Sequence, residues 1–166
     1  MNDIFCRRSV RKFMEKDVPE EQLQEILAAA LSAPSAGNEQ PWHFIVIRDK
    51  ISLNRLSGCS PYAHSAAAAP LAVVVCGDLS LEKHKGYWVL DCAAATENIL
   101  IEAAALDLGA VWLGVYPNDE RINYIKRQLA LPEGIVPFAV VPIGYPCVTP
   151  QPSKRYLPER VHREQW

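Results

Sequence analysis

One long apolar stretch constrains the fold of this chain more than any other feature of its sequence. From Tyr87 to Leu108 it reads YWVLDCAAATENILIEAAALDL, which predicts a single helix that is apolar on nearly all sides. Gly109 follows directly and is expected to end the helix as its C-cap. A helix with so little polar surface is buried on most sides. It therefore lies either at the centre of the domain or partly in an interface between subunits.

The rest of the chain predicts short strands and amphipathic helices around this one. A helix is expected over residues 17–34, where Asp17 and Glu20 have the spacing of a capping box and Pro34 ends the apolar stripe. Short β-branched runs between helix breakers predict strands at 42–48, 71–78, 110–117 and 136–146. Further helical segments are expected at 51–58, within 60–70 and at 118–131. Because strands and helices do not alternate as regular βαβ units, the pattern favours one α+β domain over residues 1–166 with a central mixed sheet.

Composition and charge exclude several classes of protein. The 166 residues carry a formal net charge of -2, so the chain as a whole offers no electrostatic footprint for nucleic acid or an anionic membrane. Its longest apolar run, 66–76, contains Pro70 and is shorter than the roughly 20 residues of a membrane span. No signal-peptide pattern opens the sequence, and we expect a cytoplasmic protein. The five cysteines are scattered without a CxxC pair, which indicates reduced, mostly buried thiols rather than a zinc site or disulfides.

Specific catalytic motifs are absent from the sequence. We find no GxGxxG after a strand, no GxxxxGK[ST], no HExxH and no GxSxG, so a Rossmann site, a P-loop, a zincin and an α/β-hydrolase are not indicated. The histidines stand far apart without partners at metal-ligand spacing, and surface or core positions are expected for all of them: His43, His64, His84 and His162. We therefore predict no metal site.

Two short segments carry the chemistry that remains. RRSVRKF, residues 7–13, is either the solvated basic end of a first helix or a phosphate clamp, since Arg side chains match phosphate oxygens in pairs. APSAGNEQPW, residues 33–42, is either a plain connector between helix and strand or a loop that approaches a flat ligand. Neither segment decides the matter alone.

Taken together, in this order and separated by one helix, the two segments resemble the nitroreductase family of FMN-dependent oxidoreductases. In that family RRSxRxF precedes APSxxNxQPWxF, and the similarity continues through 69–75, 91–117, 131–146 and the ending 154–166, so that it covers essentially the whole chain. The resemblance implies a central, mixed but mainly antiparallel sheet flanked by helices, with the long helix at the interface of a homodimer. It also implies that the C-terminal tail, from about residue 150 to 166, wraps onto the partner subunit.

The resemblance further implies which residues bind FMN. The phosphate and ribityl chain are expected to be bound by Arg7, Arg8, Ser9 and Arg11. Arg155 completes this clamp, with Lys154 as the alternative, unless both are plain surface residues. The isoalloxazine ring is expected to meet a loop of the other subunit, through Pro34, Ser35, Ala36 and Asn38, and the backbone of Trp112, Leu113 and Gly114. Trp42 fits a core position. Four further side chains either line the pocket or are ordinary aromatics: Tyr62, His64, Tyr87 and Trp88. The resemblance implies no catalytic side chain.

The implied reaction is a two-step hydride transfer. Bound FMN would take a hydride from NAD(P)H, a transient co-substrate, and pass it to an electron-poor small molecule such as a nitroaromatic or a quinone, in a ping-pong sequence. The alternatives are flavin storage or sensing without turnover, flavin fragmentation or dehalogenation on the same fold, and a different phosphate-bearing ligand. Because 51–69 and 78–88 leave little room for a covering insertion, an open site with broad acceptor preference is expected.

Overall fold

A five-stranded antiparallel sheet lies between two layers of helices. The computed structural model describes residues 3–148, 151 and 155–166. The strands are β1 (Trp42–Ile47), β2 (Leu71–Asp78), β3 (Gly109–Ala110), β4 (Leu113–Gly114) and β5 (Ile135–Gly144). They pair in the order β1-β2-β5-β3, with β4 also on β5, and a single parallel bridge joins Ser9 to Ala110. The α+β class and the mainly antiparallel sheet are confirmed.

Six α-helices are present in the described ranges, together with two short 3-10 turns. The helices are α1 (Asp3–Cys6), α2 (Glu20–Leu31), α3 (Lys50–Ser57), α4 (His64–Ala68), α5 (Trp88–Ala105) and α6 (Asp119–Leu129), and the turns are Ala36–Asn38 and Pro158–Arg160. None of these helices combines the length and the apolar character needed to cross a bilayer.

The central strand β2 explains why the sheet is covered on both sides. Its alternate side chains point to opposite faces, as the period of two requires. Leu71, Val73 and Val75 join the core formed with α2 and α5, whereas Ala72, Val74 and Cys76 join the core formed with α3, α4 and α6. Every residue from 71 to 77 is buried, so the unbroken apolar run in the sequence reflects burial on both faces.

The long apolar helix is confirmed as the centre of the domain. On α5 the residues Cys92, Ala95, Ile99 and Ala103 have 0% exposure, and the one polar residue buried to the same extent, Thr96, donates its hydroxyl to the Cys92 carbonyl at 2.7 Å. One side of the helix faces outward, where Leu90 is 61% exposed. That outward side leaves room for the interface expected from the resemblance.

Three details of the predicted elements are wrong. The N-cap of α2 is Pro19 and no side chain caps it, so Asp17 and Glu20 form no capping box. Helix α5 ends with Leu106 as its C-cap, and Gly109 instead begins β3, where a Cβ atom would lie 2.6 Å from the Cβ of Val10. The expected strand 110–117 is divided into β3 and β4, both on β5, because regular pairing is lost around Trp112.

The cysteines follow the prediction of unpaired, mostly buried thiols. All five are free, and Cys59, Cys76 and Cys92 are buried. Burial raises the pKa of the Cys76 thiol to about 12, which makes it unreactive at neutral pH.

Candidate functional site

The basic segment, residues 7–12, runs along the edge of the sheet. Helix α1 ends at Cys6, before the first arginine, so the interpretation as a basic helix end is wrong. Ser9 forms the parallel bridge to Ala110, and the Val10 amide donates to the Ala110 carbonyl at 2.9 Å. The backbone is therefore fixed by the sheet, and its side chains are presented from an extended strand-like segment.

The cations of the basic segment are only partly neutralised. Arg7 Nε lies 3.2 Å from Glu97 Oε1, and Arg8 Nη1 donates to the Gln151 carbonyl at 2.8 Å. In the part of the chain that the structure describes, no carboxylate pairs with Arg8, Arg11 or Lys12. A cavity of about 440 Å³ opens beside them, lined by Arg8, Ser9, Val10, Arg11, Lys12, Val148 and Gln151. A lining of cations and a hydroxyl without an acid suits a phosphate.

A second cavity, of about 550 Å³, adjoins the first and shares Arg11 with it. Trp112, Leu113 and Gly114 form one wall, and a Cβ atom added to Gly114 would meet no protein atom within 4 Å. The lining also includes Tyr62, His64, Cys59 and Arg121. Open space in front of a glycine backbone, joined through one arginine to a basic cavity, suits a flat ring that carries a phosphate tail.

The C-terminal arginine of the predicted clamp lies near its N-terminal part. Arg155 lines a third cavity of about 330 Å³, together with Ile4, Phe5, Arg7, Arg8 and Tyr156. Lys154, the alternative, falls outside the described residues. The structure therefore brings the four predicted clamp residues, Arg7 to Arg11, and Arg155 to one region of the surface.

The ring loop, residues 34–40, is built from hydrogen bonds within itself and to α5. Ser35 Oγ accepts from the Gln40 amide at 3.0 Å, and Asn38 Oδ1 accepts from Gln40 Nε2 at 2.9 Å. The Ala36 amide donates to Asp91 Oδ1 at 3.0 Å. Positive φ values at Gly37, Asn38 and Gln40, between 46° and 54°, make the turn tight. Pro34, Ser35, Ala36 and Asn38 are thus held together, at the N-terminal end of α5.

The structure does not bring the ring loop to the cavities of its own chain. Asp91, which anchors the loop, lies in the first turn of α5, whereas Val10 of the basic segment packs on Gly109 beyond the opposite end. From Asp91 to Leu106 the helix rises roughly 22 Å at 1.5 Å per residue. Arg7, which contacts Glu97 in the middle of α5, lies nearer to the loop, but no residue of the ring loop lines either of the two cavities.

The aromatic residues with undecided roles are now placed. Tyr62 and His64 line the second cavity. Tyr87 is 51% exposed, while Trp88 is buried and packs edge-on against Tyr116 at 4.9 Å between ring centroids. A pocket role is therefore wrong for Trp88, which belongs to the core, as does Trp42 at 5% exposure.

Two sets of residues escaped the sequence patterns. Arg121, at the start of α6, lines the second cavity and its Nη1 donates to the Gly114 carbonyl at 2.9 Å. Burial raises the pKa of the neighbouring Cys59 thiol, and the Arg121 guanidinium offsets this only in part. Glu39 and Asp91 are buried carboxyl groups beside the ring loop. No motif marks any of these four residues, because each depends on contacts between distant segments.

Known proteins match this chain along its whole length. The model of the Nitroreductase family matches residues 4–75 and 61–145. A protein of Methanothermobacter thermautotrophicus, provisionally named an NADH dehydrogenase/NAD(P)H nitroreductase, is 47% identical over 163 residues, which are 98% of this chain and 85% of that protein. A solved structure from Clostridium acetobutylicum, provisionally named an NADH oxidase, is 45% identical, covers 99% of both chains and has a TM-score of 0.97. A provisionally assigned nitroreductase in complex with FMN, from Desulfovibrio desulfuricans, is 33% identical with a TM-score of 0.85 and covers 99% and 95% of the two chains.

These matches agree with the sheet and the helix layers. The chain belongs to the nitroreductase family. It is an oxidoreductase, as the family resemblance in the sequence implied.

Proposed function

We propose that the protein binds FMN and transfers hydride from NAD(P)H to electron-poor small molecules such as nitroaromatics or quinones. The observation that carries this proposal is the pair of adjoining cavities that share Arg11, one basic and one walled by the backbone of Trp112, Leu113 and Gly114. The basic lining of one would suit the phosphate end of FMN, and the open glycine wall of the other would suit its flat ring. The solved relative in complex with FMN supports the same cofactor here.

The basic segment would hold the phosphate and ribityl chain. Arg8 and Arg11 supply charged donors, Ser9 supplies a neutral hydroxyl, and Arg7 and Arg155 extend the cationic surface on one side. Arg7 is held in place by Glu97 of α5, so its guanidinium does not need to be ordered by the ligand. The phosphate dianion would replace the mutual repulsion of these cations with attraction.

The second cavity would hold the ring. Leu113 and Gly114 are held by pairing with β5 and by the bond from Arg121 to the Gly114 carbonyl, so this part of the wall is in place before any ligand binds. FMN, when bound, supplies acceptance of a hydride and its delivery to an acceptor. The protein residues bind and orient the reactants, and no side chain is assigned as a catalytic acid or base.

The separation of the two halves supports a homodimer. The ring loop lies at one end of α5 and Val10 of the basic segment lies beyond the other, and no residue of the loop lines either cavity, so a loop from a second subunit would complete each site. Leu90 of α5 is 61% exposed, and Trp166 in the tail is fully exposed. Both surfaces would be covered if α5 and residues 155–166 lie against the partner subunit.

One open site would serve both reactants in turn. Only the short helices α3 and α4 stand between β1 and β2, and the second cavity opens beside α4, where Tyr62 is 78% exposed. NAD(P)H would therefore leave before the acceptor enters, which is a ping-pong sequence with broad acceptor preference. We also propose that the protein acts in the cytoplasm.

Spectroscopy of the purified protein tests the proposal. We expect flavin absorbance bands that bleach when NADH or NADPH is added without oxygen and return when a nitroaromatic or a quinone is added, with parallel lines in steady-state double-reciprocal plots. Bands that persist with both nucleotides would indicate flavin binding without turnover. A colourless protein that takes up no added FMN would overturn the assignment of the cavities.

A further inference from the structure

Two acidic side chains meet beneath the ring loop. Glu39 follows the 3-10 turn Ala36–Asn38 as its C-cap and is 6% exposed, and Asp91 in α5 is 4% exposed. One oxygen of each is fully used: Asp91 Oδ1 accepts from the Ala36 amide, and Glu39 Oε2 accepts from the amides of Lys83 at 2.6 Å and His84 at 3.0 Å. The other two oxygens, Glu39 Oε1 and Asp91 Oδ2, are buried, and within the described ranges no donor from a third residue reaches them.

A single proton satisfies both of the remaining oxygens. Two ionised carboxylates in this buried contact would repel each other and leave two acceptors without donors, whereas one proton turns the contact into a hydrogen bond. Burial raises the pKa of Asp91, and the charge of Glu39 adds to that effect against the opposing Ala36 amide. Burial also acts to raise the pKa of Glu39, but the amides of His84 and Lys83 outweigh it and lower that pKa. A proton shared by the pair would therefore reside on Asp91, with Glu39 ionised.

The surrounding groups show what the pair holds. Lys83 Nζ donates to the Gly37 carbonyl at 3.3 Å, and the His84 imidazole covers Gly37 so closely that a Cβ atom there would lie 2.6 Å from Nε2. Glu82 of the same segment adds negative charge near Asp91 and accepts from the Gly86 amide. The pair thus ties three pieces of chain together: the ring loop, the segment between β2 and α5, and the first turn of α5.

We propose that Glu39 and Asp91 are positioning residues, which share one proton and thereby hold the ring loop in the shape that presents Ser35 and Asn38 to the flavin of a partner subunit. The proposal rests on the proposed function, because that function gives the loop its ligand. The loop needs such support, since Gln40 adopts a left-handed backbone angle that side chains other than Asn and Asp rarely take.

The pH dependence has a definite sign. Because the pKa of Asp91 is raised in the folded protein, the stabilisation is complete below its ordinary value and is lost as the pH rises through the raised one. Ionisation of Asp91 would place two negative charges side by side, with Glu82 close by as a third. FMN affinity should therefore fall as the pH rises.

Three variants test the shared proton: Asp91→Asn, Glu39→Gln and the double variant. An amide at either position keeps its oxygen on the backbone amides and donates N–H to the remaining carboxylate, so each single variant should lose most of the fall in FMN affinity that the wild type shows as the pH rises. In the double variant two amide N–H groups face each other without an acceptor. It should bind FMN more weakly than either single variant at every pH.

Measurements without flavin keep the test separate from the proposed function. In the apoprotein the infrared spectrum should show the carbonyl stretch of one protonated carboxyl group, absent in Asp91→Asn, and the thermal unfolding temperature should fall with rising pH in the wild type only. If these signals appear but no variant binds FMN, the flavin role fails. The shared proton would be overturned if the FMN affinity of the wild type did not depend on pH. It would also be overturned if the affinity of Asp91→Asn or Glu39→Gln followed the same pH curve as the wild type. If one of these two variants does not fold, the other is sufficient for the test.

Discussion

The basic segment and the ring loop differ in how their polar groups are satisfied, although both are proposed to bind one cofactor. The basic segment directs Arg8, Arg11 and Lys12 into open cavities, with no carboxylate beside them in the described part of the chain. The ring loop satisfies its own polar groups, through Ser35, Asn38 and Asp91. The basic segment therefore presents positive charge to a ligand, whereas the ring loop presents a backbone conformation that is already formed. Substitutions in the basic segment should change affinity, and substitutions in the ring loop should change stability.

The largest expected effect is on affinity alone. Replacing Arg8 and Arg11 together by alanine removes two charge-assisted contacts worth about 1.5–3 kcal/mol each, so FMN affinity should fall roughly 10²- to 10⁴-fold. The unfolding temperature of the apoprotein should stay the same or rise, since like charges are removed. Fluorescence titration with FMN and thermal unfolding measure the two quantities.

A matched variant controls for net charge in that experiment. Lys126→Ala with Arg127→Ala removes the same charge from α6, away from the cavities, and should leave FMN affinity unchanged. A large drop in the unfolding temperature of the Arg8 and Arg11 variant would contradict the contrast between the two regions.

An intermediate effect is expected on stability. Gly37 has φ of 53°, and a methyl group there would meet the His84 ring, so Gly37→Ala should lower the free energy of unfolding by about 1–2 kcal/mol. Urea denaturation of the apoprotein measures the loss. In a His84→Ala background the same substitution should cost less, because only the backbone strain is left. Equal losses of unfolding free energy in both backgrounds would show that the contact with His84 does not contribute to the effect of Gly37→Ala.

The smallest effect is expected at Lys12. This side chain lines the basic cavity at its edge, and Lys12→Ala should weaken FMN binding about two- to fivefold at low salt and less as salt screens the charge. Lys16 provides the comparison, since its ammonium lies 3.7 Å from the centroid of the Tyr145 ring, and its replacement should leave affinity unchanged. Equal effects of the two variants would mean that only the overall charge of the segment matters.

The elements that burial determines could be predicted from the sequence. Helix α5 and strand β2 are apolar in patterns that only a central helix and a doubly covered strand satisfy, and both were expected within a few residues of their bounds. Gly109 could not be read correctly, because its reason is the side chain of Val10, far away in sequence. Likewise the gap between β3 and β4 follows from pairing with β5, which local propensity does not encode.

The candidate site was predictable as pieces rather than as an arrangement. The two motifs could be read because each is continuous in sequence, yet their order gives no hint that α5 holds them apart. No signal in the sequence sets Glu39 and Asp91 apart, and only the fold shows that both are buried beside the ring loop. Arg121 was missed for a similar reason, since its partner is the carbonyl of Gly114 rather than another side chain.

Helix α5 sets a fixed distance in the molecule as well as filling its core. Asp91 holds the ring loop near one end, Glu97 holds Arg7 in the middle, and Gly109 receives Val10 beyond the other end. Inserting one residue between these points would move the two halves of the site apart by 1.5 Å and rotate one of them by about 100° around the helix axis. The length of this helix therefore sets the spacing between the ring loop and the basic segment within one chain.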